Sequence, residues 1–112
     1  MPILNLHTNI SIADKEALLL EASNEVAQAL GKPEGYVMIR ICDREAMSFA
    51  GTTEPLAYVE LKSLGLEIEQ TASLSETLCS FIAEKLTIEP SRIYIEFASP
   101  EREMFGWNSG TF

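Results

Sequence analysis

The chain opens Met1-Pro2-Ile3-Leu4. Inside a chain, proline offers no group that moves protons. At a free amino terminus it is a secondary amine held in a ring with fixed φ. Met1 precedes a small residue, the context in which an initiator methionine is usually removed. Removal would free the Pro2 nitrogen, whereas retention would leave an amide, which is no base. An α-amino group titrates near pH ~7.7–8.0. An apolar pocket disfavours its charged form and lowers that value, towards the range where general-base catalysis works best. Other reactive side chains are sparse. Cys42 and Cys79 stand apart in apolar contexts, and they form neither a Cys-x-x-Cys pair nor a metal-ligand spacing with the single histidine, His7. They read as small buried hydrophobes. A reducing, cytoplasmic compartment fits them, and no metal or cofactor is expected.

A secondary amine becomes a base only if a fold buries it. The 112 residues are expected to form one domain over 1–112, large enough to bury roughly two-thirds of the unfolded surface. The net charge of −9 argues against nucleic-acid backbones and anionic membranes as partners. No apolar run reaches the ~18 residues of a membrane span, and no basic segment leads into an apolar one as in a signal peptide.

Alternating Ile3–His7 reads as a strand. A helix over Asp14–Leu30 follows, with Ser11-Ile12-Ala13-Asp14 resembling a capping box and Leu18, Leu19, Ala22, Val26, Ala29 and Leu30 on one stripe. Gly31-Lys32-Pro33 ends it. Tyr36–Cys42 reads as a strand that is apolar on both faces, and Met47-Ser48-Phe49 as a short strand before a turn. Leu56–Lys62 is the third main strand. Thr71–Leu86 is the second helix, with Ser73-Leu74-Ser75-Glu76 as its capping signature, and Ile93–Ala98 is the fourth strand. Strand, helix, proline turn and strand thus occur twice, with Pro33 and Pro90 at matching places. Right-handed crossovers would put both helices on one face of a four-stranded mixed sheet, an α+β fold of two β-α-β repeats. The apolar strands then leave a second face to cover, and further copies of the chain are the expected cover. The aromatic tail Phe105-Gly106-Trp107-Asn108 is expected to pack across that interface.

Several of these residues together carry a family resemblance. Pro2, Gly31-Lys32-Pro33 with Tyr36, Met47-Ser48-Phe49-Ala50-Gly51-Thr52-Thr53-Glu54-Pro55, Lys62-Ser63-Leu64-Gly65, Arg92-Ile93-Tyr94-Ile95 and Gly106-Trp107-Asn108 resemble the macrophage migration inhibitory factor family of the tautomerase superfamily. The likeness runs through essentially the whole chain. It implies a homotrimer with an N-terminal proline in a pocket between subunits. The implied activity is keto–enol tautomerisation of phenylpyruvate-like acids and dopachrome-type substrates, without a cofactor. By the same resemblance Pro2 would be the base and Lys32 would hold the substrate carboxylate, as a point-charge partner for an anion. Ser63 and Leu64 would line the pocket, Tyr94 would enter from the neighbouring subunit, and Tyr36, Phe105 and Trp107 would wall and dry it.

The chain departs from the family in places. The Cys-x-x-Cys of animal members reads Leu56-Ala57-Tyr58-Val59 here, so no thiol–disulfide activity is expected. A family asparagine near the enol oxygen is Glu96, and a rim valine is Phe105. Ser11 or Ile12, and Arg44, stand where animal cytokines carry receptor-binding charges, which weighs against a cytokine receptor as partner. A cytokine-like protein-binding factor with incidental tautomerase activity is the alternative reading. Hydration–dehalogenation or decarboxylation chemistry ranks behind both.

Overall fold

The computed structural model describes all 112 residues. Strand β1 spans Pro2–Thr8, helix α1 Lys15–Leu30, β2 Met38–Cys42, β3 Ala57–Ser63, helix α2 Thr71–Leu86 and β4 Ile93–Ala98. The sheet order is β2-β1-β3-β4. β1 runs parallel to β2 and antiparallel to β3, and β3 runs parallel to β4. This is the expected pair of β-α-β units, joined through their first strands.

The repeat extends to the connections. α1 ends on Gly31 and α2 on Thr87, both left-handed, with φ of 64° and 55°. A 3-10 turn then leads into each second strand, Glu34–Tyr36 in the first unit and Pro90–Arg92 in the second. Tyr36 therefore lies in a turn rather than at the start of a strand. At the end of α1 the Gly31 N–H donates to the Gln28 carbonyl and the Lys32 N–H to the Ala27 carbonyl. This cap needs a left-handed residue, which glycine supplies without strain, and it closes the last carbonyls of the helix. It also fixes the point from which Lys32 leaves α1.

Helix starts differ from the sequence expectation in detail. Asp14 alone caps α1, its carboxylate accepting from the Ala17 N–H at 3.0 Å; Ser11 takes no part in that cap. The reciprocal box near α2 is made by Glu67 and Gln70 around the short turn Ile68–Gln70, which runs directly into the helix. Ser73 and Glu76 lie inside α2, not at its cap. Met47-Ser48-Phe49 forms no strand; only an isolated bridge joins Phe49 to Thr52.

Both helices cover one sheet face. Leu4, Leu6, Val59 and Leu61 from the sheet pack with Leu18, Val26, Leu78 and Ile82 from the helices. Such apolar burial dominates the stabilisation of a domain of this size. Leu61 is 1 % exposed, so Leu61→Ala is expected to cost about 2–5 kcal/mol, read as a lowered urea midpoint at unchanged slope.

The other face corrects the expectation of an all-apolar surface. Register places Met38, Ile3, Lys62 and Ala98 in one row across it, Arg40, Asn5, Glu60 and Glu96 in the next, and Cys42, His7, Tyr58 and Tyr94 in the third. Alternation along each strand sends the remaining residues, Ile39, Ile41, Ile95 and Phe97 among them, to the helix side. The open face is thus polar in its middle row and carries exposed hydrophobes, Met38 and Tyr94, near opposite corners.

Candidate active site

Pro2 begins β1 at the edge of the core and is less than 2 % exposed. It faces a crevice of about 250 Å³ lined mainly by apolar side chains, among them Tyr36, Met38, Phe105, Trp107 and Phe112. Each wall has a local cause. The turn after Pro33 places Tyr36. The tail folds back as a small hairpin, β5 Gly106–Trp107 against β6 Gly110–Thr111. Its two central residues, Asn108 and Ser109, both have positive φ, as a two-residue primed turn requires. The hairpin brings Phe112 against Trp107, with ring centroids 5.3 Å apart, and Tyr36 packs edge-on to Trp107 at 5.7 Å. The aromatic tail therefore packs on its own chain's Tyr36 and builds the wall of the Pro2 crevice.

A second set of residues reaches Pro2 through the strand pairing. Ser63 is its direct partner on β3 and is 1 % exposed, with a hydroxyl that finds no hydrogen-bond partner. Leu64 follows, buried, and its carbonyl accepts from the Lys32 ammonium at 2.7 Å. Gly65, at φ 73°, turns the chain away immediately afterwards. Lys32, Ser63 and Leu64 thus gather beside Pro2 but do not line the aromatic crevice.

Electrostatics at this corner favours a neutral amine. Partial burial holds the terminal ammonium below the ordinary α-amino range, and the positive charges of Lys32 and then Arg102 push it the same way. The group in question is the Met1 amine; with Met1 removed, the Pro2 nitrogen becomes the amine of the same corner. Arg102 and Phe112 escaped the reading of the sequence. Arg102 sits in the short turn Arg102–Met104 and donates to the Phe112 carbonyl at 3.3 Å, tying the second cation to the aromatic wall. The signal for both was weak: a lone arginine among acids, and an aromatic at the chain end.

Tyr94 lies elsewhere. It pairs with Tyr58, five residues along β3 from the partner of Pro2, which amounts to about 16 Å at strand rise. It is 65 % exposed and rests on Phe49 with ring centroids 4.6 Å apart. The loop carrying Phe49 is held by Arg92, whose guanidinium donates to the carbonyls of Pro55, Phe49, Thr52 and Glu54. Glu96 shares the open face with Tyr94 and accepts from the Tyr58 hydroxyl at 3.4 Å. The chain thus brings together Pro2, Tyr36, Phe105 and Trp107, sets Lys32, Ser63 and Leu64 beside them, and leaves Tyr94 at the far end of the sheet.

The fold also places His7, Cys42 and Glu45 side by side, with one donor atom from each within 4.8 Å of the others. Cys42 and His7, which show no ligand spacing in the sequence, are direct neighbours on adjacent strands.

A model of the family described as macrophage migration inhibitory factor matches residues 1–112. The chain is 40% identical over 114 residues to the macrophage migration inhibitory factor homolog of Brugia malayi, covering 100% of this chain and 99% of that one. It is 35% identical over 114 residues to the macrophage migration inhibitory factor of Meriones unguiculatus, with the same coverage. Among solved structures it is similar to the macrophage migration inhibitory factor homologue of Prochlorococcus marinus, with a TM-score of 0.93, 41% identity and 98% of each chain covered. The factor from Trichinella spiralis is also similar, with a TM-score of 0.93, 35% identity and coverage of 98% of this chain and 99% of that one.

Proposed function

Because the chain belongs to the macrophage migration inhibitory factor family, we propose that it is a cofactor-independent keto–enol tautomerase of phenylpyruvate-like aromatic α-keto acids, accepting dopachrome-type substrates as well. The observation that carries this reading is the buried Pro2 at an aromatic crevice, in a corner where burial and two cations favour a neutral amine. With Met1 gone, the Pro2 nitrogen takes the hydroxyl proton of the enol. The electron pair of the O–H bond forms the carbonyl, the carbon–carbon double bond breaks, and its electrons take the proton back from the prolinium as a new C–H bond. No atom is gained or lost, and the amine ends as it began. The apolar lining disfavours water, and the aromatic walls suit an aryl group.

The ammonium of Lys32 has three protons, and only one is engaged at Leu64. It holds the substrate carboxylate, and Arg102 adds a second positive field. The working unit of this proposal is a homotrimer. Tyr94, exposed and displaced by about 16 Å along the strands from its own Pro2, would reach the Pro2 crevice of a neighbouring subunit.

Ketonisation of the enol of phenylpyruvate, followed by loss of its ultraviolet absorbance, tests the reading; a rate no faster than buffer would overturn it. The wall supplies a further test. Phe112→Ala admits water beside the amine and is expected to move the acid limb of kcat/KM to higher pH, because a better-solvated ammonium is harder to deprotonate. An unmoved limb would remove the tail from the site's electrostatics.

A further inference from the structure

The end of the open sheet face farthest from Pro2 carries a group of side chains that proton transfer at Pro2 does not use. His7 on β1 and Cys42 on β2 are direct partners in the ladder, so their side chains leave the same face. Beyond β2 the chain reverses sharply. Arg44 takes φ 53°, and the N–H groups of Arg44 and Glu45 donate to the carbonyls of Ile10 and Thr8 at 2.9 and 3.0 Å. Asp43 is anchored by the Ile12 N–H at 3.0 Å and by Lys15. This reversal returns Glu45 over His7, with its Oε1 2.6 Å from His7 Nδ1.

A surface ion pair would need only these two. What sets the cluster apart is the Cys42 thiol, with its sulfur within 4.8 Å of both. Behind the imidazole, Nε2 faces the Glu60 carboxylate at 3.9 Å, and Tyr58 stacks on the ring with centroids 6.0 Å apart. That carboxylate is beyond hydrogen-bond reach, and its charge lies on the side of the ring away from Glu45, where a metal-bound histidine commonly faces a carboxylate. Nitrogen, thiolate and carboxylate together are a zinc-type donor set. Donors of a tetrahedral zinc site lie roughly 3.3–3.8 Å apart, as its bond lengths require, so the donors, now within 4.8 Å, must draw together around the ion, and neither Glu45 nor Cys42 is fully buried.

We propose that His7, Cys42 and Glu45 bind one zinc-class divalent cation, which replaces the direct His7–Glu45 contact, with water completing the coordination. Binding deprotonates the thiol and releases that proton to solvent, and the imidazole ligates through a ring nitrogen that carries no proton.

Cobalt(II) is the probe. Titration of the full-length protein with Co²⁺ is expected to raise a thiolate-to-cobalt charge-transfer band that saturates at one ion per chain and is bleached by Zn²⁺. Cys42→Ser should abolish the band, Cys79→Ser should retain it, and Glu45→Gln should weaken Co²⁺ binding about tenfold or more. Zinc at 100 times its dissociation constant should raise the folded-to-unfolded ratio about 100-fold. Absence of the band in the parent protein overturns the site, and so does a band that survives Cys42→Ser. Should Cys42→Ser fail to fold, the parent titration together with Glu45→Gln, a partly exposed position, decides: no loss of affinity in Glu45→Gln then overturns it.

Discussion

Pro2→Gly, with Met1 removed, is expected to lose most of the turnover while keeping its fold. The variant still ends in an amine, but a primary one on a flexible residue, so the base is no longer held by a ring against the crevice. A positioned general base is worth about 10²–10⁴ in rate, and the variant should forfeit about 10²-fold or more. The fold should survive because Pro2 contributes to the β1–β3 ladder only at its first rung, and the added backbone freedom with the lost burial of the ring costs about 1–3 kcal/mol. Turnover equal to the parent, with an unchanged circular dichroism spectrum, would refute the role of the ring nitrogen.

Lys32→Ala is expected to raise KM for α-keto acids about tenfold or more and to leave KM for the corresponding esters nearly unchanged. A hydrogen bond to a charged partner is worth about 1.5–3 kcal/mol, and an ester has no such charge to lose. The same substitution has a pH signature. Lys32 lowers the pKa of the Met1 amine at this corner, and the same charge would act on the Pro2 amine once Met1 is removed. Removing that charge lets the pKa rise, so the neutral, active form appears only at higher pH, and the acid limb of kcat/KM should shift upward. Equal effects on acid and ester would remove Lys32 from the carboxylate. An unshifted limb would remove it from the electrostatics of the amine.

The sequence made some of this architecture plain because the signals were local. Gly31-Lys32-Pro33 declared the end of α1, and the Schellman-type cap there is what aims Lys32 at the Pro2 corner. The doubled strand, helix and proline turn was visible as periodicity and returned as the sheet order β2-β1-β3-β4. Other features depend on pairings that local patterns do not encode. Arg40 and Glu96 sit among apolar neighbours in their strands, and only the register shows that they share a charged middle row on the open face. Two capping-box patterns compete before α2, and the one at Glu67 and Gln70 wins because the turn it closes runs straight into the helix. The tail hairpin was hidden by its turn residues: Asn108-Ser109 adopts the positive φ that Asn-Gly would have announced.

The site was legible to an uneven degree for the same reason. Pro2, Tyr36, Phe105 and Trp107 line one crevice, while Arg102 and Phe112 join them through a turn and a chain end that carry no motif. The His7, Cys42 and Glu45 cluster is a product of long-range pairing: 38 positions separate His7 from Glu45, and no sequence spacing advertises them.

The most direct measurement is a nuclear magnetic resonance titration of the mature protein labelled with ¹⁵N-proline. An unblocked Pro2 should give one proline nitrogen whose shift follows pH, with a midpoint below the ordinary α-amino range of about 7.7–8.0. If no proline nitrogen titrates, the amine is capped and cannot act as the base; a midpoint at or above that range would mean that the crevice does not depress it.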